Sequence, residues 1–238
     1  YYRVETTRRK DAFVADYVRS HPGESGIVYC ATRKNVDAVQ EMLRGEDISA
    51  ARYHAGMTNE ERRQSQNDFI YDAAPVIVAT NAFGMGIDKS NVRYVIHYNM
   101  PQSMENYYQE AGRAGRDGLP SQCILLFSPQ DIVINLFLLD HKENDDLDDE
   151  AADLLRARDN QRLQAMANYC QTTGCLRNYI LRYFGEEPAE PCGSCGNCDR
   201  EFEEVDMTAQ AKWMINCVAE TRGRYGKGVV LNTLRGAN

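Results

Sequence analysis

The sequence predicts an α/β fold for roughly its first 145 residues, a parallel sheet with helices on both faces, followed by a smaller all-helical region. Three observations carry this reading. Short β-branched runs alternate with amphipathic stretches, as crossovers between parallel strands require. Two of the runs, Gly26-Ile-Val-Tyr-Cys-Ala-Thr32 and Pro75-Val-Ile-Val-Ala-Thr80, are continuously apolar, which fits strands covered on both faces. Past residue 145 the runs give way to helical spacing and clustered cysteines.

In chain order, Thr7 is placed to cap a helix over 8–20, with Phe13, Val14, Tyr17 and Val18 as its apolar stripe and Pro22-Gly23 as its stop. A strand over 26–32 leads into a helix over 33–43, where Val36, Val39 and Leu43 share a face. A second strand spans 48–53. Thr58-Asn-Glu-Glu61 is a capping box that opens a helix to residue 70. Strands follow over 75–80, 92–98 and 122–127, which makes five. Ser103 caps a helix from Met104 whose composition stays helical until Gly118 and Pro120. Ser128-Pro129-Gln-Asp131 opens another, with proline at the first helical position. Seven acidic residues between 143 and 153 form a solvated linker, followed by helical spacing through Leu154, Leu155, Leu163, Met166 and Tyr169 and a further helix over 176–184. After Met207 come a helix carrying Ala211, Met214, Ile215 and Val218, a glycine-rich turn over 223–228, and a short helix over 229–234. The expected division is therefore 1–145, 146–206 and 207–238.

At 238 residues the chain can bury a real core, and 43% hydrophobic with 26% charged residues is ordinary for a globular protein. No apolar run reaches the length of a membrane span and no signal-peptide pattern opens the chain, so no membrane partner is expected. The opening Tyr1-Tyr2-Arg3-Val4, without methionine, reads as an excised piece of a longer protein. Net charge of −8 argues against bulk electrostatic capture of nucleic acid, although residues 208–238 carry +4 on a body of −12.

Of eight cysteines, Cys30, Cys123, Cys170 and Cys217 are scattered in apolar or helical contexts. Cys192-x-x-Cys195-x-x-Cys198 packs three thiols into seven residues, with Gly193 and Gly196 permitting tight turns. The fourth member is Cys175 or its rival Cys170. Four thiolates suit a closed tetrahedral structural zinc rather than a catalytic one, and this usage points to a reducing compartment. Disulfides or free thiols are the plainer alternative.

Gln109-Glu-Ala-Gly-Arg-Ala-Gly-Arg-Asp-Gly118 carries the strongest chemical signal. If the helix runs that far, Gln109, Arg113 and Arg116 lie at i, i+4 and i+7 on one face. Ala111, Gly112, Ala114 and Gly115 leave that face without bulk. Two forked, permanently charged donors beside an amide suit a polyphosphate, whereas the plainer reading pairs them with acidic neighbours. The loop Thr80-Asn-Ala-Phe-Gly-Met-Gly-Ile-Asp88-Lys89 leaves the C-terminal end of a strand, where α/β proteins bind ligands.

The string Q-x-x-G-R-x-G-R matches the sixth motif of superfamily-2 helicases. Ala111, Ala114 and Asp117-Gly118 match its RecQ branch, as does Cys175-Leu-Arg177 with Tyr183-Phe-Gly-Glu186. The chain resembles the C-terminal motor domain and zinc domain of a RecQ DNA helicase. That resemblance implies a RecA-like domain, a helical zinc-binding domain with Cys175, Cys192, Cys195 and Cys198 as ligands, and the first part of a winged helix lacking its third helix and wing. It implies that Gln109, Arg113 and Arg116 reach the γ-phosphate of ATP held by a preceding RecA-like domain. Thr80–Lys89 resembles the fifth motif, so that Thr80 would touch the DNA backbone while Gly86 and Asp88 serve the ATP ribose or its coupling network. Thr32-Arg33 resembles the fourth motif and Tyr53-His54-Ala55-Gly56 the one after it, both lining a single-stranded DNA path.

No G-x-x-x-x-G-K-[ST] string and no DExH strand occurs here. ATP and Mg²⁺ are thus expected only with the preceding domain, and no hydrolysis from this piece alone. The resemblance further implies 3′-to-5′ translocation, single-stranded DNA and duplex junctions as partners, and a bacterial cytoplasm in contact with the nucleoid. The alternative is a non-catalytic, zinc-stabilised DNA-binding module.

Overall fold

A computed structural model describes residues 1–83, 89–141, 149–203 and 205–236 of the chain. The acidic linker expected over 143–153 lies mostly outside these residues. The described chain divides into two compact units, 1–200 and 201–238.

The first unit is built on six strands: β1 (Tyr2–Thr6), β2 (Ser25–Tyr29), β3 (Ala50–Tyr53), β4 (Val76–Ala79), β5 (Val92–His97) and β6 (Gln122–Phe127). All pair in parallel, in the order β1-β6-β5-β2-β4-β3. The α/β class with a parallel sheet is as expected, with one strand more than the five predicted. That extra strand, β1, sits at the edge with only Val4 buried, so it shows no apolar run, and its partner β6 is some 120 residues away in sequence.

Helices α1 (Lys10–Ser20), α2 (Arg33–Gly45), α3 (Asn59–Ile70), α4 (Met104–Ala111) and α5 (Pro129–Asp140) flank the sheet, and α6 (Asp149–Gln171) and α7 (Leu176–Tyr183) follow. Alternation along the strands assigns the faces. Val28, Val78, Ile96 and Ile124 meet Val14 and Val18 of α1 and Val36, Val39 and Leu43 of α2. Ile27, Tyr29, Ile77, Ala79 and Val95 point the other way, toward Phe69 of α3 and Phe83. Beside them Val4, Leu125 and Phe127 pack on Met104, Tyr107 and Ala111 of α4.

That last cluster continues without a break into Leu163, Met166 and Tyr169 of α6, Ile180 of α7 and Cys195. The Tyr169 hydroxyl donates to Tyr107 Oη at 3.2 Å, and the Gly196 N–H donates to the Tyr2 carbonyl at 2.8 Å. The cysteine region therefore shares a core with the sheet.

Helix starts follow local chemistry. Thr32, Thr58 and Ser103 each accept a backbone N–H three residues on, and Glu61 completes the capping box by accepting from the Thr58 N–H. Thr7 does not cap α1: its hydroxyl accepts the Arg9 N–H, and the helix starts at Lys10. The helix from Met104 stops at Ala111, well short of Gly118. Gly112 N–H still reaches the Tyr108 carbonyl, but Arg113 and Ala114 bond only three residues back, and the Gly115 N–H leaves for the Val92 carbonyl at 2.9 Å. Gly115 has φ +66°, and a Cβ there would stand 2.5 Å from Ser121 Oγ.

The second unit contains α8 (Thr208–Glu220) and α9 (Lys227–Leu234), close to the expected helices. Among the described residues no helix is long and apolar enough to cross a membrane.

Candidate functional site

The C-terminal ends of three neighbouring strands, β2, β4 and β3, bring together most of the expected contact residues. At the end of β2, Thr32 caps α2 through its hydroxyl, and Arg33 is the exposed first residue of that helix. The side chain of Asn99 organises this turn: Oδ1 accepts from the Ala31 N–H and from Asn35 Nδ2. Its own Nδ2 donates to Asp131, whose carboxylate is held at 2.7 Å by the buried Lys10 ammonium.

At the end of β3 the His54 ring is buried and already engaged. Nδ1 accepts the Gly56 N–H at 3.2 Å, which leaves Nε2 to donate to Asp37 at the same distance. Gly56 has room for no more than this, because a Cβ would stand 3.2–3.3 Å from the His54 ring and from Arg33 Cδ. His54 thus shapes the Tyr53–Gly56 turn and is closed off by it. At the end of β4, Thr80 is buried, donates its N–H to the Tyr53 carbonyl and accepts from the Phe83 N–H. Gly86 and Asp88 lie outside the described residues.

The arginine segment lies beyond α4 rather than on it, which corrects the expected single helical face for Gln109, Arg113 and Arg116. Gln109 is exposed on α4, Arg113 is half-buried in the turn, and Arg116 is exposed with its Nε 3.4 Å from the Gly112 carbonyl. The turn is held from outside. Arg93 pairs with Asp117 and donates to the Pro120 carbonyl, and the Leu119 N–H donates to Asp117. The Arg93 guanidinium holds the Asp117 carboxyl below the usual carboxylate range. Arg113 makes no ion pair among the described residues, and its Nε is buried without a hydrogen-bond partner there.

Sequence reasoning missed the groups around Arg113. Arg113 acts electrostatically on the Tyr29 hydroxyl at the end of β2. Burial pushes that phenol well above its ordinary value, and Arg113 is the strongest influence in the other direction. Tyr29 and His97 also line a cleft with Asn81, Asn99 and Glu110. Glu110 stood inside the motif that was read, but a helical glutamate normally faces solvent, and nothing in one sequence tied it to His97.

The sulfur atoms of Cys175, Cys192, Cys195 and Cys198 all lie within 4.8 Å of one another, whereas Cys170 is buried elsewhere in α6 and does not join them. Cys192 and Cys198 are 3.9 Å apart, near the roughly 3.8 Å edge of a tetrahedron with zinc–sulfur bonds of about 2.3 Å. N–H groups of Asn178 and Cys192 point at Cys175 Sγ, and that of Leu176 at Cys195 Sγ, at 3.3–3.4 Å. Burial works against the Cys175 thiolate, yet these donors prevail and bring it to about 7. Cys198 is pushed up to about 12 by desolvation and by its sulfur neighbours, so full ionisation of the quartet calls for a cation.

The first unit thus combines a parallel α/β sheet, an arginine turn beside its strand ends and a four-cysteine module packed on its core. Family models agree along the chain: helicase conserved C-terminal domain over 9–118, RecQ zinc-binding over 129–199, and RQC domain over 201–238. The chain is 44% identical over 99% of its length to the ATP-dependent DNA helicase RecQ of Bacillus subtilis, covering 39% of that protein. It is 38% identical over 92% of its length to the RecQ of Pasteurella multocida, covering 34%. Against the ATP-dependent helicase wrn-1 of Caenorhabditis elegans the figures are 38% identity, 92% of this chain and 21% of that protein. The chain belongs to the RecQ family of helicases, and it spans about two fifths or less of the length of these relatives.

Proposed function

We propose that this chain is the trans half of an ATP-driven DNA motor, presenting Arg113 and Arg116, with Gln109, to a nucleotide bound on a preceding RecA-like domain. The observation that carries this is Arg113: a guanidinium at the strand ends with no carboxylate of its own domain to neutralise it among the described residues. A group so placed offers a fork to phosphoryl oxygens, where arginine fingers contribute roughly 10³–10⁵ in rate by meeting charge that develops on the transferred group. Gly86 and Asp88, which follow Thr80 in sequence, would serve the same nucleotide, and Mg²⁺ would come with it.

The DNA-facing part of the reading uses other groups. Thr32 sets the N-terminus of α2, Arg33 and the N–H groups there face backbone phosphates, and Thr80 adds its hydroxyl. His54 acts by holding its turn. The strand would be drawn 3′ to 5′ as the two domains close and open. Cys175, Cys192, Cys195 and Cys198 would hold a structural zinc, with no position left for catalysis. We divide the chain functionally at 145 and 206, with the start of a winged helix after that.

Adding the isolated N-terminal domain and single-stranded DNA to this chain tests the reading. ATP hydrolysis is expected from the mixture and not from the chain alone. A chain that binds DNA equally well but never raises hydrolysis would favour a binding module.

A further inference from the structure

We infer that Tyr29 is a positioning residue for Arg113, braced by the buried His97–Glu110 pair, and that this cluster ties the nucleotide-facing arginine to the strand end at Thr80. The inference rests on the proposed function. Tyr29 is the last residue of β2 and is only 3% exposed. Its hydroxyl donates to the Phe83 carbonyl at 3.2 Å, and the Phe83 N–H returns to the Thr80 carbonyl at 3.0 Å. One short path thus runs from Tyr29 to the backbone of Thr80.

The ring of Tyr29 stacks on His97 at 5.5 Å with planes 24° apart. His97 Nε2 stands 2.9 Å from Glu110 Oε2; a carboxylate accepts, so Nε2 carries the proton. Tyr107 closes the other side of the imidazole at 4.9 Å. Glu110 then reaches Arg113 through the backbone, its carbonyl accepting the Arg113 N–H at 3.2 Å. The imidazole is 1% exposed and Glu110 9%.

A core that needed only stability would gain as much from apolar groups of similar volume, because burying a carboxylate costs more than its pairing commonly returns. Likewise, phenylalanine would fill the Tyr29 site and keep the stack. What the hydroxyl, imidazole and carboxylate supply is direction. They fix the end of α4 and the bearing of Arg113, two residues beyond it. The Tyr29 hydroxyl donates to the Phe83 carbonyl while its ring is linked through His97 and Glu110 to the Arg113 N–H, which makes Tyr29 a hinge between two motifs.

The test uses the full-length protein that contains this chain, with variants Tyr29→Phe, Glu110→Gln and Arg113→Ala. Steady-state ATPase is measured against ATP and single-stranded DNA, and thermal midpoint checks folding. Arg113→Ala is expected to abolish turnover. Tyr29→Phe is expected to lower kcat about tenfold while KM for ATP and affinity for DNA stay within about twofold, since only transition-state alignment is lost. Glu110→Gln is expected to do the same at a smaller amplitude, because an amide still accepts from His97. Turnover lost in Arg113→Ala but unchanged in Tyr29→Phe would overturn this inference alone. Unchanged turnover in Arg113→Ala would overturn the proposed function and this inference with it. A Tyr29→Phe loss that appears only in KM or as a lowered melting point would reduce Tyr29 to ordinary packing and also overturn it.

Discussion

Asp131 illustrates how much of the site is set by single buried groups. Its carboxylate, 2% exposed, accepts from Lys10 Nζ, Asn99 Nδ2 and the Ser128 N–H and hydroxyl, and so joins α1, the end of β5 and the start of α5. Through Asn99 it also sets the Ala31–Asn35 turn from which Thr32 and Arg33 project. Removing one partner of such a pair strands the other charge in the interior, at roughly 3–5 kcal/mol. Asp131→Ala should therefore lower the denaturation free energy of the first unit by about that amount in urea titration; a loss below about 1 kcal/mol would mean that water already reaches Lys10. At this scale the sequence is legible where the chemistry is local. The caps at Thr32, Thr58 and Ser103 bond within three residues. Asp131 with Lys10, and Glu110 with His97, are pairs made by topology, and a single sequence gives no sign of them.

Among elements, α4 and its successor turn matter most. Helix composition runs on to Gly118, yet the chain leaves the helix at Gly112 because Gly115 is drawn onto the Val92 carbonyl in a left-handed conformation. Tertiary demand overrode propensity, and the effect is to move both arginines off a helical face into a turn braced by Arg93. Strands β2 and β4 were readable from unbroken apolar runs, whereas β1 offers one buried side chain. The cysteine hairpin was readable from spacing, but its attachment was not. Because Cys195, Ile180 and Tyr169 sit in one cluster with Tyr107 and Leu125, metal and sheet should be coupled. Chelation at neutral pH is expected to increase amide exchange in α4 and β6 as well as in α6 and α7. Protection lost only over 150–200, with the sheet unaffected, would show that the two regions stand independently. Chelation that changes nothing would argue that the quartet holds no metal.

Taken whole, the chain as proposed would offer one half of a phosphoryl-transfer site and a row of strand ends for a phosphate backbone, on a body of overall negative charge. Charge of that sign is compatible with a motor that grips a strand through a few directed contacts rather than through a field. A parallel sheet could be anticipated from alternating strands and helices; its strand order, and which strand ends meet, required the folded chain. The most direct measurement is single-turnover ATP hydrolysis by the full-length protein carrying Arg116→Ala, alongside equilibrium nucleotide binding. A rate lower by roughly 10³-fold or more is expected, with ATP affinity retained within a few-fold. A variant that hydrolyses ATP at the unaltered rate, or one whose loss is entirely in ATP binding, would contradict the proposed motor role.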